Sequence, residues 1–145
     1  MKRLYSFLLS LPLVVGLAAQ AAYLEVDSPY PFEETIQKLK TVLPMHEMQF
    51  IREQDIWDGL PDAPSARAKV LFFCNFDLLN EAKAVEPSIG QSMPCRFTVL
   101  ENESKVKVLA VTPDEYLSQP ARERLGDVCE KLESRYTSAL WEALQ

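Results

Sequence analysis

The chain has 145 residues, with 15 basic against 21 acidic side chains and a formal net charge of −6. That balance argues against a nucleic-acid surface and against adsorption to anionic lipid, both of which need clustered cations. Ten prolines against four glycines point to stiff, defined loops.

The first element is a leader. Lys2 and Arg3 precede an apolar run from Leu4 to Ala19, and Ala19-Gln20-Ala21 supplies a small-residue exit. Charge, apolar core and exit in that order predict a secretory signal peptide over residues 1–21. The run is short for a permanent span, and Pro12 and Gly16 weaken it as a helix. Removing Lys2 and Arg3 with the leader takes 15 basic residues to 13 against 21 acidic, a net charge of −8. The remaining residues 22–145 make one domain large enough to bury a core. Export implies a periplasmic or secreted location, no stable membrane insertion after cleavage, and an oxidising environment for cysteines.

The mature chain reads as alternating strands and helices. Tyr23 to Asp27 alternates apolar and acidic residues, as a short strand does. Phe32, Ile36, Leu39 and Leu43 recur at helical spacing after Pro31, and Pro44 stops that helix. Met48 to Trp57 is a second strand, with Phe50 and Ile56 pointing inward. Lys69 to Phe76 is the strongest strand signal, with Val70, Phe72, Cys74 and Phe76 on one face. Asp77 then caps a short helix carrying Leu78, Leu79, Ala82 and Val85, which Pro87 ends, and Ile89 plugs a gap after it. Cys95, Phe97 and Val99 share a face of the next strand, and Lys105 to Val111 returns as its hairpin partner. Thr112-Pro113-Asp114-Glu115 matches a capping box. A final helix from about Pro120 carries the stripe Leu125, Val128, Cys129, Leu132, Tyr136, Leu140 and Ala143. This order predicts an α+β fold with the last helix packed across an antiparallel sheet.

An apolar strand ending in Cys74-Asn75, then Met93-Pro94-Cys95-Arg96, then T-V-L-E from Thr98, resembles the family known as domain of unknown function 302. The early helix P-F-E-E-T-I-Q-K-L-K fits as well. The resemblance implies a β-α-β(4)-α fold similar to the TATA-binding-protein arrangement, with an extra short helix between the two cysteine strands. It implies no established activity. Phe76 stands where many members carry proline, and residues 55–64 lack the Asp-His that many carry after the second strand.

The chemistry candidates centre on Cys74 and Cys95. Two inward-facing strand cysteines in an oxidising compartment most often pair, so a structural disulfide is expected. A periplasmic thiol-redox or soft-metal module using Cys74, Cys95 and Met93 is the alternative. It requires exposed thiols with a lowered pKa, for which Arg96 is the available cation. Cys129, on the helix stripe, reads as a small buried hydrophobe. The single histidine, His46, lies in M-H-E-M. One histidine, no G-x-S-x-G and no glycine-rich phosphate loop leave no catalytic constellation and no cofactor to name. The leading reading is a non-catalytic binding or interaction module for a small ligand or an envelope protein. It would act through the sheet or through a groove near the last helix lined by Trp57, Phe73, Phe76, Arg96 and Tyr116. Association into a homodimer stays open.

Overall fold

A computed structural model describes residues 23–57, 66–91, 95–111 and 117–145. The leader, the capping box at 112–115, Met93 and Tyr116 lie outside the described residues. In chain order the elements are β1 (Tyr23–Ser28), α1 (Phe32–Val42), β2 (Gln49–Asp55), β3 (Arg67–Cys74) and α2 (Phe76–Val85). They continue with β4 (Cys95–Asn102), β5 (Lys105–Val111), α3 (Gln119–Leu125) and α4 (Val128–Ala143). The strands form one antiparallel sheet in the order β1-β5-β4-β3-β2. This is the expected α+β arrangement, with α2 as the short helix between the two cysteine strands. Among the described residues no helix is long and apolar enough to cross a membrane.

The helical layer covers one face of the sheet. From α1 come Phe32, Ile36 and Leu39, with Leu43 in the single 3-10 turn that follows. Leu132, Tyr136, Ala139, Leu140 and Ala143 come from α4. They meet Leu71 and Phe73 of β3, Phe97 and Val99 of β4, and Val108 and Ala110 of β5, all with essentially no exposure. Tyr136 is the keystone. Its ring stands edge-on to Phe73 and Phe97, centroids 6.2 Å from each, and its hydroxyl donates to the Val111 carbonyl at 3.3 Å.

Four expectations need correcting. The inward face of β3 is Leu71 and Phe73, not Val70 and Phe72, which are only half-buried on the other side. A run with apolar residues at every position carries no alternation, so its phase cannot be read from residue type. The strand ends at Cys74, and Asn75 rather than Asp77 caps α2, its Oδ1 accepting the Leu78 N–H at 2.8 Å. Ile56 lies beyond β2 and is exposed, as is Val85 at the end of α2. The final helix is two helices. Gly126, at φ +57°, donates its N–H to the Arg122 carbonyl and ends α3, and α4 starts again at Val128.

The remaining stripe expectations hold. Leu125, Val128, Leu132, Tyr136, Leu140 and Ala143 are buried, and Cys129 is half-buried at the layer's margin. Ile89 fills the space after α2.

One buried charge ties the layer's far end together. Glu86, after α2, accepts hydrogen bonds from the Ser88 N–H and hydroxyl and from the Arg124 guanidinium of α3, whose Nε lies at 2.8 Å. The Ser88 and Arg124 donors hold the Glu86 carboxyl below its ordinary value of 4.5. A folded-state value below the unfolded one adds stability above about pH 4.5. That contribution is lost as the pH falls through the lower folded value. Thermal melts of Glu86→Gln should therefore show a lower midpoint at neutral pH and a flatter acid limb than wild type. Parallel acid limbs would show that another carboxylate governs acid stability.

Candidate functional site: the open face of the sheet

Alternation along each strand sends every second side chain away from the helices. The register groups those residues into rows across the sheet. Arg52 of β2, Phe72 of β3 and Arg96 of β4 are paired neighbours, and Val111 of β5 pairs with Tyr23 of β1 at the same end. The middle row is Gln54, Val70, Thr98, Leu109 and Glu25. The next is Ala68, Leu100, Lys107 and Asp27. Val70, Phe72, Leu100, Leu109 and Val111 are each half-buried apolar side chains on β3, β4 and β5, with Arg96 and Thr98 of β4 lying between those of β3 and β5.

Charge is distributed unevenly across this face. On the β2 edge the Arg52 guanidinium lies over the Phe72 ring, 4.0 Å from its centroid, and donates to Gln54 at 2.8 Å. The acids of that strand turn the other way: Glu53 bonds Lys40 at 3.0 Å and Lys69 at 3.3 Å, and Asp55 lies 3.7 Å from Lys69. On the β1 edge Glu25 and Asp27 share the single ammonium of Lys107. The face therefore carries Arg52 on one edge, apolar side chains interspersed with Arg96, Thr98 and Lys107 in the middle, and Glu25 and Asp27 on the other edge.

The residues expected to line one groove do not converge. Phe73 is sealed in the core and unavailable to any ligand. Phe76 is exposed at the start of α2, and Trp57 is half-buried past β2, its enclosed Nε1 without a hydrogen-bond partner among the described residues. Of the four that are described, only Arg96 stands on the open face of a strand. A groove of about 710 Å³ does exist, at the end of the sheet, lined by Asp27, Tyr30, Glu101, Ser104, Lys105 and Lys107 among others. It sits beside the β4–β5 turn, where Glu103 and Ser104 both hold positive φ. A smaller hollow of about 410 Å³ on α4 is lined by Asp127, Glu130, Lys131, Ser134 and Arg135. None of the four expected residues that are described, Trp57, Phe73, Phe76 and Arg96, is among the residues lining either.

The expected Cys74–Cys95 disulfide is not formed: no disulfide involves Cys74, Cys95 or Cys129. Register explains it. Phe73, not Cys74, lies opposite Cys95, so alternation sets the two cysteines on opposite sides of their strands. Bridging requires convergent Cβ directions, which a one-residue offset denies. Burial pushes the Cys74 thiol up against a pull from Lys83. Burial first, then the neighbouring Cys74 and Cys129, pushes Cys95 up to about 12. These are the surroundings of inert thiols. Among the described residues no group of three histidines, cysteines or carboxylates is placed to hold a metal. In folded protein a bulky thiol reagent should modify Cys129 first, and Cys74 and Cys95 only on unfolding. Rapid modification of all three would show that Cys74 and Cys95 are not enclosed in the folded protein.

His46 is within 2.6 Å of Glu142 through Nε2, a contact that pins the turn after α1 to the end of α4.

Comparison with known proteins places the chain in a family. The sequence model of the domain of unknown function DUF302 matches residues 24–143, and the chain belongs to that family. An uncharacterized protein of Aquifex aeolicus strain VF5 is 29% identical over 101 residues, which cover 70% of this chain and 66% of that protein. The crystal structure of an uncharacterized conserved DUF302 protein from Bacillus stearothermophilus superposes with a TM-score of 0.77. It covers 84% of this chain and 98% of that one, at 18% identity, and so shares the fold.

Proposed function

We propose that this protein is an exported, non-catalytic interaction module that binds another envelope protein through the open face of its sheet. The observation that carries the reading is the set of half-buried apolar side chains Val70, Phe72, Leu100, Leu109 and Val111, grouped around Arg96 and Thr98 on the sheet face opposite the described helices. Solvent-facing apolar side chains grouped with charged ones are characteristic of protein contact sites. These apolar side chains line neither hollow found among the described residues, which favours a macromolecular surface over a small molecule that needs a concave site. The leader supports export: residues 1–21 would be removed, leaving residues 22–145 to act in the periplasm or as a secreted protein. The raised thiols count against the redox and soft-metal alternative at Cys74 and Cys95.

A photo-reactive side chain introduced at Leu109, in cells exporting the protein, should give a discrete cross-linked species after irradiation. The same probe at Glu130, on the exposed side of α4, should not. Cross-linking from position 130 alone would move the working surface to the helical layer.

A further inference from the structure

We propose that the groove at the end of the sheet binds a short zwitterionic peptide, two or three residues long and free at both ends, with its ammonium on Asp27 and its carboxylate on Lys105. This site is separate from the apolar side chains of the sheet face and does not depend on them. At about 710 Å³ the groove lies inside the range of roughly 300–1,000 Å³ typical of small-molecule sites. Its walls are preformed. On one side the turn after β1 is tied by Ser28, whose Oγ accepts the Tyr30 N–H at 3.2 Å and lies 2.6 Å from the Thr35 hydroxyl. Tyr30 is held at both ends: its hydroxyl donates to the main-chain oxygen of Gln145 at 2.9 Å, and Lys38 Nζ stands over its ring, 4.1 Å from the centroid. On the other side Asn102 pairs with Lys105 around the turn Glu103-Ser104, both at positive φ, which side-chain-bearing residues adopt at a cost. A site already in shape loses less entropy on binding.

The charges select the ligand. Lys105 is exposed, and among the described residues no carboxylate lies within ion-pair distance of it. Lys107, two residues on, is closed on Glu25, so Asp27 keeps only a 3.9 Å approach to it and its side chain stays 84% exposed. Glu101, also in the lining, lies 3.7 Å from Arg67. The groove thus offers one cation without a counter-ion and one carboxylate only loosely held. Lys105 and Lys107 lie on the same side of β5, and Asp27 is opposite Lys107. Asp27 and Lys105 are therefore diagonal neighbours, about 7–8 Å apart. Two extended residues span at most about 7 Å, so a dipeptide or tripeptide reaches from one charge to the other. Pro29, Tyr30 and Val106 give the lining apolar surface for the ligand's side chains. A simple anion would meet Asp27 and a simple cation would meet Lys105, whereas a ligand carrying both charges avoids either repulsion.

The test is titration of the purified protein with leucyl-leucine, followed through backbone amide NMR shifts, which report both place and affinity. Saturable shifts should centre on residues 27–31 and 104–107. Acetylating the peptide's amine or amidating its carboxylate should each weaken binding about tenfold, the loss of one charge-assisted contact. Asp27→Asn should weaken the free peptide and leave the acetylated one as it was, and Lys105→Gln should do the same with respect to the amidated one. Both side chains are exposed, so both variants should keep the wild-type melting temperature. No saturable shift at millimolar peptide, shifts centred elsewhere, or blocked peptides that bind as well as the free one would overturn the proposal. So would a variant that weakens the free peptide and the correspondingly blocked peptide alike. None of these results bears on the reading of the sheet face, which the cross-linking from position 109 decides by itself.

Discussion

Phe97→Ala should destabilise the fold by about 3–5 kcal/mol, the range for large aromatic truncations in cores. Phe97 has no exposure. Its ring centroid lies 4.5 Å from Phe73 and 6.2 Å from Tyr136, so it joins the central strand both to its neighbour and to the last helix. Truncation removes both ring contacts and leaves a void at the middle of the sheet, where two hydrogen-bonded neighbours hold the backbone and prevent collapse. Urea unfolding followed by circular dichroism measures the loss as a shift of midpoint at constant slope. A loss under about 1 kcal/mol would mean that the helices can settle onto the sheet without this ring.

The second large effect is expected at Leu132→Ala, about 2–5 kcal/mol by the same reasoning. Leu132 sits one turn before Tyr136 on the buried side of α4 and is 4% exposed. The helix itself contributes little from propensity, since Cys129, Tyr136 and Thr137 are all middling helix formers. Its stability comes from the stripe laid against the sheet. A shift within half a kcal/mol would place α4 at the periphery and return the core to α1 alone.

The helices were legible because their apolar residues are sparse enough to show a period. Phe32, Ile36, Leu39 and Leu43 can share a face only on a helix, and the Leu125 to Ala143 stripe behaves likewise. The break at Gly126 was not legible: the stripe continues in phase across it, and only the positive φ reveals the stop. Strand β3 failed for the opposite reason. Val70, Leu71, Phe72, Phe73 and Cys74 are apolar on both faces, and the choice between them was made by the partners on β4, which residue type does not show. That single error of phase also produced the disulfide expectation, since it set Cys74 beside Cys95, and it placed Phe73 in a groove when it is core. The family resemblance, carried by the Cys74-Asn75 and Met93-to-Arg96 segments, held. The open face could not be read beforehand because it is assembled from single residues of five strands. Arg52 and Glu25 acquire their meaning only once β2 and β1 are the two edges of one sheet.

The sheet face opposite the described helices is proposed as the place where the protein meets its partner. Methyl-labelled protein, observed by NMR at increasing concentration and then with the soluble envelope fraction added, tests it most directly. The methyls of Val70, Leu100, Leu109 and Val111 should shift or broaden, and those of Leu125, Leu132 and Leu140, beneath the helices, should stay in place. Perturbation confined to residues on the exposed side of α4, with the sheet-face methyls unmoved, would contradict it.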